Sequence, residues 1–184
     1  MKVTILKEAG YEEALLGLSL SFNRPWSDMV RVSKGLYNKD GGHNKFLRFI
    51  QVYADISATR YFWQEFDTYT VGVVRQSEST IHTGLKKVLT KEDFEGDEVE
   101  ECIIGILNKA IEDRDLLKFK RNLPESFLQR RIVNMNYASI RNIIKQRHQH
   151  KLSYEWSLFC KEVYEQIKYK EYMEDLKIYC KKKE

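Results

Sequence analysis

Residues 134–156 read NMNYASIRNIIKQRHQHKLSYEW, a stretch that concentrates amides, guanidinium groups and imidazole- and indole-bearing side chains on what should be helix. Ile140, Ile143 and Ile144 stand three and four apart. They form a single apolar stripe of a helix that begins near Ser139, while Asn142, Arg147 and His148 project elsewhere. Asn136 lies just upstream, at a helix entrance whose backbone amides are open to an anionic or amide-bearing ligand. Helix capping is the competing use of Asn136 and Asn142, because a short amide side chain reaches the first free N–H groups of a helix.

Outward from this block, Phe46 to Ile56 alternates, with Ile50, Val52, Ala54 and Ile56 on one side and Phe49, Gln51, Tyr53 and Asp55 on the other. That period of two predicts a half-buried strand. Ser57 is expected to cap a helix in which Thr59, Phe62, Trp63 and Phe66 recur at helical spacing, leaving Gln64 and Asp67 off the stripe. Val71 to Val74 is short and β-branched and predicts an extended segment. Val99, Cys102, Ile103, Ile106, Leu107, Ala110 and Ile111 predict an amphipathic helix, and Trp156, Phe159, Cys160, Val163 and Ile167 a second one with Ser153 as its cap. Lys2 to Leu6 reads as strand and Tyr11 to Leu18 as helix, and Pro25 opens a helix expected to break at Asp40-Gly41-Gly42. Strands and helices are mixed without regular alternation, which predicts an α+β fold rather than a doubly wound sheet.

The 184 residues suit a single domain spanning 1–184, long enough to bury roughly 70% of the unfolded surface. Cys102, Cys160 and Cys180 are odd in number and far apart, which fits a reducing, cytoplasmic setting better than a disulfide framework. No apolar run reaches the roughly 18 residues of a membrane-spanning helix. The net charge of +4 comes from 31 basic residues interleaved with 27 acidic ones, a balance that argues against a nucleic-acid polymer as partner and is compatible with small phosphate ligands. His148 and His150 stand two apart and share no helical face, so with Glu155 they read as a solvated turn and no metal site is expected. Lys181-Lys182-Lys183 reads as a solvated tail.

The block at 134–156 resembles the C-terminal signature of the flavin-dependent thymidylate synthase family, roughly N-x-R-S-L-x-N-F-L-x-L-R followed by A-Q-W-E-I. Asn136, Ser139, Ile140, Asn142, Ile144 and Arg147 fall in register without a gap, and Tyr154-Glu155 falls where the family has W-E. Met1 to Leu6 is similar to the family's first strand, Gly42-His43 to its G-H turn and Leu123-Pro124 to the L-P before the helical block. The family's hallmark, R-H-R-x-x-S-x-N-E-x-S-x-R-Y, lands on Asp67 to Thr80. Ser77 matches there, but Asp67, Thr68 and Tyr69 replace R-H-R, Val74-Arg75 replace N-E and Ser79-Thr80 replace R-Y.

The resemblance implies a central, largely antiparallel sheet flanked by helices, in a homotetramer whose sites draw on more than one subunit. It implies an enzyme that uses FAD on a pyrimidine deoxynucleotide, converting dUMP to dTMP with methylene-tetrahydrofolate and NADPH, or a variant one-carbon transfer. No enzyme nucleophile is required, and none is assigned. His43, Asn136 and Asn142 match residues near the flavin. Gln64, Ser77, Lys120 and Arg147 match positions that address the nucleotide, with Lys120 standing in for an arginine and Arg147 expected to serve the ligand rather than the fold. The alternative is a nucleotide- or flavin-binding homologue that has lost catalysis, which the altered stretch at 67–80 favours. Tyr61, Trp63 and Tyr69 could stack on a flavin or base, or simply pack in the core.

Overall fold

The structure is a computed structural model that describes residues 1–96 and 99–180; the expected lysine tail lies outside the described residues. Strand β1 (Lys2–Ala9) turns at Gly10 into helix α1 (Tyr11–Leu20), and a short 3-10 turn, Trp26–Asp28, leads into α2 (Met29–Lys34). After a second 3-10 turn, Lys45–Arg48, the chain forms β2 (Gln51–Thr59), α3 (Arg60–Phe66), β3 (Val73–Ser77) and the single turn α4 (Thr80–Thr83). Helices α5 (Glu101–Glu112) and α6 (Leu116–Asn122) precede β4 (Leu128–Asn136), α7 (Tyr137–Arg147) and α8 (Ser153–Gln166), and a 3-10 segment, Lys170–Cys180, closes the described chain. The strands make one antiparallel sheet in the order β1-β2-β4-β3, the α+β arrangement that the irregular element order predicts.

By density of contacts the chain forms two compact units, and the strands contribute to both. The first holds residues 1–2, 56–68 and 76–132. In it, Phe62, Trp63 and Phe66 of α3 are fully buried, and the Trp63 indole donates to the Gln129 carbonyl at 2.9 Å. A smaller cluster gathers Leu89, Phe94, Val99, Leu107, Ala110, Phe119 and Leu123 around α5 and α6. The α5 stripe is narrower than its periodicity predicts, since Cys102 and Ile106 are exposed.

The second unit holds, among the described residues, 3–55, 69–75 and 133–180. Ile50, Val52 and Ala54 are fully buried there, as the alternation predicts, with Phe49 and Tyr53 exposed. Ile140, Ile143 and Ile144 of α7 are buried, as are Trp156, Phe159, Cys160 and Val163 of α8, so both predicted stripes face a core. Burying an aliphatic side chain of this size stabilises by roughly 1.5–3 kcal/mol, so each stripe is a major term in its helix's stability.

Four local expectations change. Residues 45–48 are helical rather than strand, because Phe46 and Leu47 are both buried and a one-sided strand cannot bury two consecutive side chains. Thr59, not Ser57, caps α3, its hydroxyl accepting from the Phe62 amide at 3.2 Å, because the strand continues through buried Ala58. The helix after Pro25 stops at Lys34, where the Gly35 amide closes on the Val32 carbonyl at 2.9 Å, well before Gly41-Gly42. Leu152 rather than Ser153 occupies the position before α8.

Candidate functional site

Strand β4 runs into α7 without a loop, so the last residue of the strand, Asn136, is also the cap of the helix. Its backbone is extended, φ −104° and ψ 165°, and its side-chain oxygen accepts from the Ser139 amide at 2.9 Å. The Ser139 hydroxyl lies 2.8 Å from the Val71 carbonyl, and the Asn136 amide donates to the Gly72 carbonyl at 3.3 Å. Gly72 has φ +68°, and a Cβ there would stand 2.2 Å from Asn136 Nδ2. Glycine is required at this position on both counts. Asn136 is buried, and its oxygen is committed to the helix entrance.

Two further features fix α7. Tyr137, its first residue, donates to the Glu8 carboxylate at 2.7 Å and accepts from the Tyr169 amide at 3.0 Å, and burial, with the Glu8 bond second, holds its phenol well above the ordinary value. Arg141 makes a two-pronged pair with Asp175, 2.7 Å on each prong, donates to the Tyr172 carbonyl and lies over the Tyr37 ring. The exposed positions of the helix are therefore held in place from behind.

Those positions carry a linked chain of side chains. Gln146 Nε2 donates to Asn142 Oδ1 at 3.1 Å, the Tyr69 hydroxyl donates to Gln146 Oε1 at 3.0 Å, and Arg147 Nε donates to the Tyr69 hydroxyl at 2.7 Å. The Arg147 guanidinium lies 4.6 Å from the centre of the Trp156 ring and 5.3 Å from that of Tyr69. It therefore sits against two aromatic faces whose quadrupoles favour a cation. Arg75 donates to the Tyr69 carbonyl at 3.0 Å. Tyr69 is thus both a core side chain, edge-on to Trp156, and the node between Asn142 and Arg147. Arg147 is part of the packing as well as a ligand candidate, which modifies the expectation that it leaves the fold alone.

His43 occupies a different place. It follows Gly41 and Gly42, both at positive φ, and is exposed on a groove of about 600 Å³. Leu18, Leu20, Leu36, Phe46 and Phe49 line that groove, with Lys45 beside His43; Asn136, Asn142 and Arg147 do not. The volume and apolar lining lie in the range of small-molecule clefts, about 300–1,000 Å³. In the first unit, Gln64 donates to Glu125 at 2.9 Å, Lys120 donates to Thr80 at 2.5 Å, and Ser77 ends β3 with an exposed side chain. Among the described residues none of these three is hydrogen-bonded to another. Asp67, at the head of the altered stretch, pairs with Arg131 at 2.8 Å, and Arg131 lies over Trp63.

The structure thus joins Asn142 to Arg147 and puts Asn136 at the entrance of the same helix, while Gln64 pairs with Glu125, Lys120 with Thr80, and His43 and Ser77 are exposed. Sequence reading missed Gln146 altogether. Its position four residues after Asn142, the spacing at which helical amides pair, was the available signal. Among the described residues no three His, Cys, Asp or Glu side chains converge as a metal site, and no helix is long and apolar enough to cross a membrane.

No family model matches the chain, and neither does any curated protein. Solved structures do match. Thymidylate synthase X from Helicobacter pylori, crystallised with FAD and dUMP, superposes with a TM-score of 0.78 over 99% of this chain and 100% of its own, at 15% identity. A flavin-dependent thymidylate synthase from the same organism, complexed with FAD and dUMP, gives 0.79 over 96% and 99%, also at 15% identity. The fold is that of flavin-dependent thymidylate synthase. At this identity the likeness establishes the path of the backbone, whereas the chemistry depends on the side chains described above.

Proposed function

We propose that the protein is a flavin-dependent thymidylate synthase-like enzyme that binds FAD and a pyrimidine deoxynucleotide. The observation that supports this most is the end-to-end correspondence with structures holding FAD and dUMP. The residues fit such a ligand pair in part. Asn142 is exposed with its carboxamide oriented by Gln146, and His43 stands at a separate apolar groove that suits a flat ring, so each is a flavin candidate and the two would meet one flavin only from different subunits of the proposed assembly; the Asn136 oxygen is taken by its cap. Arg147 would meet the nucleotide, since a guanidinium donates paired hydrogen bonds to a carbonyl edge or a phosphate. Gln64, Ser77 and Lys120 are the further nucleotide candidates. FAD, when bound, supplies hydride-transfer chemistry, and the protein contributes position and charge. NADPH and methylene-tetrahydrofolate are the proposed co-substrates, and dTMP the product.

The homotetramer and the cytoplasmic setting belong to the same proposal. Large apolar side chains stand in solvent on the single chain, Val71 at 84% exposure and Leu20 at 78% among them, and assembly would cover such groups. A second reading, a binding protein without thymidylate synthesis, is favoured by one observation: the stretch from Asp67 opens with a carboxylate already paired to Arg131. A carboxylate in that position does not attract a phosphate.

Two measurements separate the readings. Purified protein incubated with FAD and freed of excess should keep absorption bands near ~375 and ~450 nm, which belong to the cofactor and not to side chains. Supplied with dUMP, methylene-tetrahydrofolate, FAD and NADPH, it should form dTMP, at a rate below the ~1 s⁻¹ that marks the lower end of common enzymes. Flavin retention without dTMP selects the second reading. Retention of neither flavin nor dUMP removes both.

A further inference from the structure

We infer that Tyr69 is a positioning residue that fixes the Arg147 guanidinium for the nucleotide, an inference that rests on the nucleotide reading of Arg147. Tyr69 stands where the hallmark resemblance places the second arginine of R-H-R, so a phenol replaces a cation at this position. The phenol accepts from Arg147 Nε at 2.7 Å, and its ring and that of Trp156 lie against the guanidinium. With Nε directed at one oxygen and two aromatic faces against the group, the guanidinium plane is set before any ligand arrives.

Prior ordering matters because a free arginine side chain carries about 2 kcal/mol of rotamer entropy, part of which is lost when a ligand immobilises it. Tyr69 is itself oriented. Its proton goes to Gln146 Oε1 at 3.0 Å, its ring is edge-on to buried Trp156, and its carbonyl accepts from Arg75. The substitution therefore removes a positive charge from the 67–69 turn and puts there a phenol that holds the cation at the end of α7.

The experiment is calorimetric titration of dUMP into the full-length chain and three variants, Tyr69→Phe, Arg147→Ala and the double variant, with melting recorded for each. Tyr69→Phe keeps the ring and removes the hydroxyl; it should raise the dUMP Kd roughly tenfold, near the value of one charge-assisted hydrogen bond. Arg147→Ala should weaken binding further, and the double variant should be no weaker than Arg147→Ala alone, because Tyr69 acts only through Arg147. A merely structural tyrosine would instead give additive losses. Gln146→Leu, at an exposed position, gives a second readout if Tyr69→Phe folds poorly, with an expected loss of roughly threefold. If Arg147→Ala weakens binding while Tyr69→Phe and Gln146→Leu leave it unchanged, or if the losses add, the inference is overturned and the nucleotide reading survives. If Arg147→Ala changes nothing, or the unaltered chain binds no dUMP, the nucleotide reading fails and takes the inference with it.

Discussion

Single side chains at the mouth of α7 decide between packing and ligand contact, and each can be tested alone. Gly72→Ala places a methyl group 2.2 Å from Asn136 Nδ2 on a backbone at φ +68°, so both strain and collision oppose it. Urea unfolding should show a loss of about 1–3 kcal/mol. A midpoint equal to that of the parent would mean that the cap is not held against this turn. For Arg147→Ala, dUMP binding is expected to weaken by about 2–5 kcal/mol. The aromatic and phenol contacts of the guanidinium add a stability loss of about 1–2 kcal/mol, visible as a lower melting temperature without ligand. Both effects should appear together. At this scale the sequence was informative about identity but not about commitment. Asn136 was legible as cap or ligand, and only the 2.9 Å contact to Ser139 decides that its oxygen caps. Tyr69 looked like core or stacking platform, and neither description contains its hydrogen bonds, which join residues nearly eighty apart in the chain.

Among the elements, those with a clear period were readable, and those whose burial is one-sided and interrupted by charge were not. The α8 stripe emerged with Trp156, Phe159, Cys160, Val163 and Ile167 all buried, because 3.6-residue periodicity reports a single covered face. Strand β4 was missed even though it is an inner strand of the sheet, between β2 and β3. Gln129, Arg130 and Arg131 break its apolar signal, and only Val133 and Met135 mark a buried face. Such a strand exists because its neighbours pair with it, which no local window contains. The 3-10 segment 170–180 was equally silent, and it is held to α7 by the Arg141–Asp175 pair. Asp175→Ala should leave the largely buried Arg141 without its carboxylate, a break that costs about 3–5 kcal/mol when a pair is fully buried and less here, where Asp175 is partly exposed. Hydrogen exchange should then accelerate over 170–180 before it does in α8. Uniform acceleration across the second unit would show instead that the segment is not separately held.

For the molecule as a whole, the buried acids give a directional pH dependence. Burial pushes the Cys180 thiol from 9.0 up to about 12 and raises Cys160 and Tyr137 above their ordinary values. Each keeps its proton longer folded than unfolded, so its contribution is complete below the unfolded value and is lost as pH rises through the folded one. The melting temperature should hold steady to about pH 8 and fall by several °C by about pH 11. A flat profile across that interval would contradict the burial of these groups. Assembly is tested by light scattering at micromolar concentration, where the proposed tetramer should give about four chain masses and a strictly monomeric mass would remove the shared-site proposal.

The junction of β4 with α7 carries its own consequence. A loop absorbs an added residue, but here strand passes to helix at Asn136 with nothing between. One residue inserted after Met135 would turn the whole of α7 by about 100° about its axis. Ile140, Ile143 and Ile144 would leave the core, while Asn142 and Arg147 would sweep away from Tyr69. Length variation at this joint should therefore be far less tolerable than substitution, and a library of single-residue insertions along 130–150 should be depleted most sharply here.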